Sequence, residues 1–309
     1  MNIAILGAGA MGMLFGGYLS KHNTVWLIEI DKNRIDKILR DGVTIQEADL
    51  SENIYHPQAA LSPEGLPTMD LLIVFVKSMF TISALEANKD LIGKDTYLMT
   101  LQNGAGHEAK LLQFADEAHV IIGSTQHNSS VIENGRIKHG GAGITSIGLL
   151  EGETASIRHI ANAFNSCGIE CIISDSVREQ IWNKLFLNTS ASALTAVLQV
   201  PLGFILEDPS ACSLMEALAR EAVTVANAGG ISAFCADDVI EDIKKVLGGA
   251  KGGYTSIYAD VKKGARSEVD TISGSVVEAA RGQGIAVPYH DMVVKLIHAM
   301  EHKMKENIG

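Results

Sequence analysis

The first half of the chain contains short, nearly continuous runs of apolar residues, and segments with helical periodicity separate several of these runs. Strands of a parallel sheet are buried on both faces, so they are apolar throughout instead of alternating between apolar and polar residues. This pattern predicts a buried parallel sheet whose strands alternate with helices. The predicted strands lie at residues 3–6, 24–30, 71–76, 97–101, 120–122 and 169–174.

After residue 124 the pattern changes to shorter strands. They are predicted at residues 129–131, 136–139 and 144–149. Asn134-Gly135 lies between two of them, and Asn-Gly between strands is typical of a tight hairpin. After Asp175 nearly every segment has helical character. We therefore expect an α/β fold with a doubly wound sheet in residues 1–174 and a second, all-helical domain in residues 175–309.

A glycine-rich turn follows the first predicted strand and opens a predicted helix. Its sequence is Gly7-Ala8-Gly9-Ala10-Met11-Gly12, with the spacing G-x-G-x-x-G. Gly7 permits a tight turn, Gly9 lets a pyrophosphate approach the backbone, and Gly12 lets the helix pack closely on the strand. The helix N-terminus offers unpaired N–H groups and a positive dipole end to the same phosphates. All six residues are predicted to bind a nicotinamide dinucleotide on a Rossmann-like domain.

The choice between NAD and NADP depends on the end of the second predicted strand. Glu29 lies there, where a carboxylate accepts hydrogen bonds from the ribose 2′-hydroxyl and repels a 2′-phosphate. Lys32 and Arg34 follow closely enough to neutralise this charge. We therefore favour NAD and keep NADP as the alternative.

The second domain opens with an apolar helix that carries a polar stripe. At 100° per residue, this stripe on one face of the predicted helix consists of Lys184, Asn188, Ser192 and Thr195. Desolvation lowers the pKa of a lysine from its ordinary value of about 10.4, so Lys184 is suited to act as a general acid. The alternative is a lysine whose stem covers the helix edge and whose head reaches solvent.

A further candidate group lies in residues 256–270. Gly264 is expected to end one helix, and Ser267 with Asp270 has the spacing of a capping box for the next. Glu268 would then lie at a helix N-terminus, where a carboxylate is stabilised. This role in the helix dipole is the alternative to a catalytic role for Glu268.

Composition and charge restrict the partners of the protein. Of its 309 residues 47% are hydrophobic and 20% are charged, and the formal net charge is -11. No run of Lys or Arg offsets this charge, so we expect neither nucleic acid nor a membrane surface as a partner. The uncharged segment 185–206 contains too many polar residues for a membrane span and is expected to be one core helix.

The N-terminus and the cysteines indicate a cytoplasmic protein. No signal peptide is expected, and the four cysteines lack Cys-x-x-Cys spacing and are expected to be reduced. His298 and His302 lie at i and i+4 on a predicted helix, but no third ligand accompanies them, so no metal site is expected.

Together these motifs resemble the ketopantoate reductase (2-dehydropantoate 2-reductase) family over nearly the whole chain. The resembling segments are 7–12, 76–77, 102–106, 123–127, 182–188, 194–196 and 256–270. Lys184 and Glu268 each lie inside a family-like motif and occur in the family's order, which is more specific than any single motif.

The resemblance implies NAD(P)H-dependent reduction of ketopantoate to pantoate, a step of pantothenate and coenzyme A biosynthesis. It implies that Lys184 is the general acid and that Glu268 bonds near the nicotinamide and the reacting oxygen. The other implied roles are cofactor binding by Lys77 and Ser129, contact with both cofactor and substrate by Asn103, and substrate binding by Asn188, Ser192 and Ser256. The implied partner is a small 2-oxo acid held in a cleft with the nucleotide, and a homodimer is an assembly to consider.

The chain departs from the family where the substrate is recognised. Ser192-Ala193 stands where the family has Asn-Pro, and Leu202 and Gly253 stand at or near positions that often carry a substrate-contacting Asn. Ile30 replaces the Arg with which many members bind a 2′-phosphate. A site without these polar partners discriminates less strongly among substrates. The leading hypothesis is therefore ketopantoate; the alternatives are another small 2-oxo acid and a non-catalytic NAD(P)-sensing protein.

Overall fold

The computed structural model describes residues 1–306, with side chains through Lys303. These residues form two compact units. The first, which we call the sheet unit, comprises Met1–Gln102 and His107–Val177. The second, which we call the helical unit, comprises Asn103–Gly106 and the chain from Arg178 onward. The short segment 103–106 was expected to belong with the sheet.

The sheet unit contains two sheets. Its strands are β1 (Asn2–Leu6), β2 (Thr24–Ile28), β3 (Val43–Gln46), β4 (Glu52–Tyr55), β5 (Gln58–Ala60), β6 (Leu71–Val74), β7 (Tyr97–Thr100), β8 (Val120–Thr125), β9 (Asn128–Glu133), β10 (Arg136–Gly141), β11 (Thr145–Leu149) and β12 (Cys171–Ile173). The large sheet has the order β12-β11-β8-β7-β6-β1-β2-β5, and all its neighbours pair in parallel except β8 and β11. Strands before and after β1 in this order confirm a doubly wound α/β fold.

The small sheet has the order β4-β3-β10-β9. The predicted hairpin is confirmed: β9 and β10 are antiparallel, and Gly135 in the turn between them has φ +75°. Three strands, β3, β4 and β5, were not predicted. They are short, and only β3 contains buried residues, which alternate with partly exposed ones. They therefore lack the continuous apolar run that marks a buried parallel strand.

Five helices complete the sheet unit. They are α1 (Ala10–Leu19), α2 (Lys32–Asp41), α3 (Thr81–Ala87), α4 (Glu108–Leu111) and α5 (Arg158–Ser166). Every residue of α1 from Gly12 to Leu19 is buried, because α1 contacts strands of both sheets. A helix covered on two sides must be apolar all round, and this explains the composition of the segment after the glycine-rich turn.

The helical unit contains two long helices and several shorter ones. Its helices are α6 (Val177–Leu187), α7 (Ala193–Leu198), α8 (Phe204–Glu207), α9 (Pro209–Ala228), α10 (Ala236–Gly249), α11 (Ser256–Lys262), α12 (Ser273–Gln283) and α13 (Pro288–Glu306), and a π-helical turn (Asn188–Ser192) joins α6 to α7. The start of α9 follows ordinary capping rules, since Asp208 accepts from Ala211 N at 2.8 Å and Pro209 occupies the first turn.

The expectation of a single core helix over residues 185–206 is wrong. The π-helical turn interrupts the α-helical pattern, and the helix ends at Gln199, which adopts the left-handed conformation (φ 56°) just before Pro201. The segment is nevertheless mostly buried. Over the described part of the chain, no helix combines the length and the apolar character needed to cross a membrane.

Candidate active site

The glycine-rich turn connects β1 to α1. Gly7 has φ +97°, a conformation that other residues rarely adopt, and its N–H donates to Ile28 O at 2.8 Å. A Cβ on Gly12 would lie 1.9 Å from Gly7 O, so only glycine lets the helix start this close to the strand. A Cβ on Gly9 would meet nothing within 4 Å beyond its own chain neighbours, which leaves the backbone there open to a ligand.

The N-terminus of α1 suits a phosphate group. Its N-cap residue is Gly9, and no described side chain caps the helix. The first N–H groups of α1 are therefore available to an anion, and the helix dipole favours a negative charge at the same place. The residues of this turn fit the pyrophosphate of a dinucleotide.

Glu29 follows β2 and is fixed beside the turn. Its Oε2 accepts from Ala8 N at 3.1 Å and pairs with Arg34 at 2.9 Å. Arg34 therefore neutralises part of its charge, as the sequence suggested, whereas Lys32 pairs with Asp36 at 2.7 Å instead. The carboxylate stands where the ribose of a dinucleotide would bind.

A pocket of about 640 Å³ adjoins Glu29. It is lined by the glycine-rich turn, by Lys77 from the segment after β6, and by apolar residues such as Phe80 and Leu61. Ile30 also lines it, with a side chain that is 92% exposed. This volume and mixed lining suit a nucleoside-sized group. The glycine-rich turn lines the same pocket, so a phosphate and the attached nucleoside could bind side by side in the sheet unit.

Ser129 lies on β9 of the small sheet and reaches the first turn of α1. Its Oγ donates to Met11 Sδ at 3.3 Å. The structure thus brings Ser129 against the predicted phosphate-binding helix, although the two residues are far apart in the sequence.

A buried polar cluster behind α1 was missed by the sequence analysis. Tyr18 Oη donates to Glu47 Oε1 at 2.5 Å, and Glu47 Oε2 lies 2.8 Å from Nδ1 of His139. The Nε2 atom of His139 lies 3.0 Å from Nδ1 of His127, whose Nε2 has no partner among the described residues. Burial, with a further contribution from His139, lowers the pKa of His127. No motif marks this cluster, because its members come from a helix, a strand and two connecting segments that are far apart in the sequence.

Lys184 lies in the last turn of α6 in the helical unit and is only partly exposed. Leu185 and Phe186 beside it are buried. Desolvation lowers the pKa of the Lys184 amine from 10.5 to about 8. The direction follows from the cost of charging an amine away from water.

The predicted polar stripe is not a continuous α-helical face. Asn188–Ser192 form a π-helical turn, in which each residue advances by roughly 82° instead of 100°. Ser192 is therefore rotated back by roughly 70° over the four steps from Asn188, which returns it towards the side of Lys184. Ser192 is only 4% exposed, whereas Asn188 is partly exposed.

The loop after Asn103 packs on the turn after Glu268 within the helical unit. Ala105 N donates to Thr271 O at 3.2 Å, and a Cβ on Gly104 (φ +104°) would lie 2.0 Å from the same carbonyl oxygen. The loop that carries Asn103 thus packs on the turn that starts at Glu268. This tertiary contact could not be read from the sequence, since the residues are far apart in it.

The expected capping box before α12 is wrong. α12 begins only at Ser273, and Ser267 instead donates from N and Oγ to Glu301 Oε1, at 2.8 and 2.7 Å. Asp270 pairs with Arg266. Glu268 therefore lies in a hydrogen-bonded turn before the helix and not at the helix N-terminus.

Ser256 is the first residue of α11 and is exposed. Thr255 before it caps the helix by accepting from Tyr258 N at 3.2 Å, and its Oγ1 lies 2.9 Å from Oγ1 of Thr195 and 3.3 Å from O of Ser192. Hydrogen bonds thus join the start of α11 to the segment that carries Asn188 and Ser192.

Leu202 and Gly253 are neighbours in the structure. Leu202 N donates to Gly253 O at 3.0 Å, and a Cβ on Gly253 would lie 3.2 Å from Leu202 Cδ1. Both lie close in the chain to helix starts of the unit, and neither offers a hydrogen-bonding side chain.

His298, considered as a metal ligand, instead pairs with Asp270 at 2.8 Å. Within the described residues, no group of three or more His, Cys, Asp or Glu side chains is arranged to hold a metal ion. All four cysteines are free.

Comparison with known proteins gives the family. Residues 3–152 match the family described as ketopantoate reductase PanE/ApbA, and residues 176–301 match its C-terminal domain. The chain belongs to the ketopantoate reductase family. It is an NAD(P)-dependent oxidoreductase, and the family implies a nicotinamide cofactor and a small keto acid.

Individual relatives cover almost the whole chain. The 2-dehydropantoate 2-reductase of Halobacterium salinarum is 32% identical over 293 residues, which are 93% of this chain and 95% of the relative. A PanE/ApbA family ketopantoate reductase from Ralstonia eutropha JMP134 is 27% identical with a TM-score of 0.90, covering 99% and 100% of the two chains. A D-mandelate dehydrogenase in complex with NADH and anilino(oxo)acetate is 28% identical with a TM-score of 0.92, with the same coverage.

Proposed function

We propose that this enzyme reduces ketopantoate to pantoate, with Lys184 as the general acid. The observation that carries the proposal is the lowered pKa of Lys184, about 8, on the same unit as the other predicted substrate residues. An ammonium group with a pKa near the working pH is an efficient proton donor to the alkoxide oxygen that forms from a ketone.

The other site residues have roles that follow from their chemistry. The carboxylate of Glu268 orients the reacting oxygen, and the amide of Asn103, on the loop packed beside it, bonds to the substrate. Asn188 and Ser192 bind the polar groups of the substrate, and Ser256 at the start of α11 binds its carboxylate. A serine hydroxyl suits this task, because it can donate a hydrogen bond to a carboxylate oxygen.

The cofactor is proposed to bind the sheet domain, residues 1–174, and the substrate the helical domain, residues 175–309. Gly7-Ala8-Gly9-Ala10-Met11-Gly12 would hold the pyrophosphate, Glu29 the ribose, and Lys77, Ser129, Asn103 and Glu268 the remaining polar groups. A bound nicotinamide supplies the hydride. We favour NAD over NADP because Glu29 is fixed beside the turn and would repel a 2′-phosphate.

The test is the initial rate of NADH and NADPH oxidation with ketopantoate for the wild type and for Lys184→Ala. We expect turnover that falls by at least about 100-fold in the variant, the upper part of the usual range for one acid–base group. Cofactor binding without turnover of any 2-oxo acid would refute the proposal and favour an NAD(P)-sensing protein.

A second candidate is reduction of a 2-oxo acid with an apolar side chain. Leu202 and Gly253, joined by a hydrogen bond from Leu202 N to Gly253 O, offer no hydrogen-bonding side chain at or near positions where the family often has an asparagine for the substrate. The D-mandelate dehydrogenase among the similar structures acts on such an acid by its name. Comparing kcat/KM for ketopantoate and 2-oxo-2-phenylacetate decides between the candidates, since a polar site rejects an analogue that leaves its partners unpaired.

A further inference from the structure

The π-helical turn Asn188–Ser192 requires specific support. A π-turn gives up the i→i+4 hydrogen bonds of an α-helix, and such turns occur mostly as single turns at functional sites. Here hydroxyl groups bond to the carbonyls of the widened segment: Ser190 Oγ donates to Phe186 O at 2.6 Å, and Thr195 Oγ1 donates to Ser192 O at 2.9 Å. These hydrogen bonds join residues of the same segment, from α6 to α7, so they do not fix the position of the turn relative to the other helices.

A buried chain of polar side chains from three other helices reaches this turn. His290 on α13 is completely buried, and its Nε2 lies 2.8 Å from Oγ1 of Thr189 in the turn. Its Nδ1 donates to Glu221 Oε2 of α9 at 2.9 Å. On the other side, Ser273 Oγ at the start of α12 lies 3.3 Å from Thr189 Oγ1 and donates to Thr189 O at 3.4 Å.

Glu221 fixes the orientation of the histidine ring. Its two oxygens also accept from the backbone N–H groups of Tyr289 and His290, at 3.1 and 3.0 Å, so the carboxylate caps the start of α13. Because a carboxylate only accepts, Nδ1 of His290 carries a proton and Nε2 must face Thr189. The ring is thus held at both nitrogens, with no freedom to rotate in its buried site.

We propose that the chain Glu221–His290–Thr189–Ser273 holds the π-helical turn in register, and that His290 is thereby a positioning residue that sets the orientation of Ser192 relative to Lys184. The proposal rests on the function proposed above for these two residues. If the turn relaxed to an α-helix, every residue after Asn188 would rotate relative to Lys184, by roughly 70° at Ser192. Misplacement by about 1 Å at a reacting centre can cost about 100-fold in rate.

The nearly isosteric variant Thr189→Val tests the proposal, because it removes only the hydroxyl that His290 and Ser273 contact. Thr189→Ser restores this hydroxyl. The matched control is Thr96→Val in the sheet unit, which removes a buried hydroxyl bonded to Met69 O at 2.6 Å at the strand end opposite the glycine-rich turn. For each protein we would measure kcat, KM for ketopantoate, Kd for NADH by fluorescence, and Tm.

The expected result is a loss of at least tenfold in kcat/KM for Thr189→Val, an unchanged Kd for NADH, and recovery to within threefold in Thr189→Ser. Thr96→Val should lower Tm and leave kcat/KM within threefold. If Thr189→Val behaves like Thr96→Val, the chain is only structural and the proposal is overturned. If Thr189→Val does not fold, the substitute variant is His290→Asn, which keeps a hydrogen-bond donor to Glu221 but loses the hydrogen bond to Thr189. The same two outcomes then support or overturn the proposal.

A second readout separates this proposal from the proposed function. The pH midpoint for labelling of the Lys184 amine by an amine-reactive reagent, read by peptide mass spectrometry, needs no turnover. If the wild type reduces no 2-oxo acid, the proposed function fails, and the labelling midpoint alone then tests the positioning role. A midpoint at least one pH unit higher in Thr189→Val than in the wild type supports a role of the turn in the surroundings of the Lys184 amine. An unchanged midpoint overturns it.

Discussion

The lowered pKa of Lys184 predicts a specific pH dependence of the reduction. With a pKa of about 8, roughly 90% of the amine is protonated at pH 7 and roughly 10% at pH 9. The rate of a step that needs the ammonium form should therefore be constant below pH 7 and fall about tenfold per pH unit above pH 8. A lysine at the ordinary value of 10.5 would remain about 97% protonated at pH 9.

The assay is single-turnover reduction between pH 6 and 10, with enzyme and cofactor in excess over the oxo acid so that product release does not limit the rate. Lys184→Arg is the control, because a guanidinium group does not titrate in this range. Its rate should be low and independent of pH up to pH 9.5. A wild-type rate that stays flat to pH 9.5 would refute the assignment of Lys184 as a desolvated general acid.

Three further predictions follow from the sheet unit and from α12. Replacing Glu29 with Ser should raise the ratio of kcat/KM for NADPH over NADH by about tenfold, since repulsion of a 2′-phosphate is removed; an unchanged ratio would show that Glu29 does not set the preference. Gly12→Ala should lower the free energy of unfolding by at least about 2 kcal/mol, because its Cβ would overlap a backbone oxygen. The control is Gly282→Ala, an open position within α12, which should raise the free energy of unfolding by about 0.5 kcal/mol. Urea titration measures the free energy of unfolding of both variants, and an equal loss in the two would contradict the steric argument. Because the pKa of His127 is lowered in the folded protein, the unfolded chain binds more protons below about pH 6.5. Stability should then fall as the pH drops from 7 to 5, and His127→Gln should flatten this dependence; an equally steep loss in the variant would assign it to other groups.

The geometry of the proposed nucleotide-binding turn was the most predictable part of the site. The glycine-rich turn and Glu29 depend on residues that are close in the chain, so their spacing reports their geometry directly. The same short spacing predicted that Arg34 lies close enough to Glu29 to neutralise its charge, and the two side chains form an ion pair at 2.9 Å. The small sheet was less predictable, because β3 alternates between buried and partly exposed residues and β4 is largely exposed, so neither has a continuous apolar run.

The helical part of the site was predicted only as a set of residues. Lys184 and Asn188 were found from helical spacing, but the π-helical turn after them changed the angle to Ser192. A single inserted turn leaves no mark in a pattern of apolar residues, since both sides of the segment are buried. The capping box at Ser267 failed for a related reason: its hydroxyl bonds to Glu301, which lies in a different helix.

The sequence by itself determined the apolar strands of the large sheet, the class of cofactor and the lysine with an unusual place on an apolar helix. These features follow from periodicity and from turn chemistry, which act over a few residues. The tertiary structure alone decided that the loop of Asn103 packs on the turn of Glu268, that His290 anchors the π-helical turn, and that the amine of Lys184 is desolvated. Such contacts join residues far apart in the chain, and their energies depend on burial and distance, which only the folded protein defines.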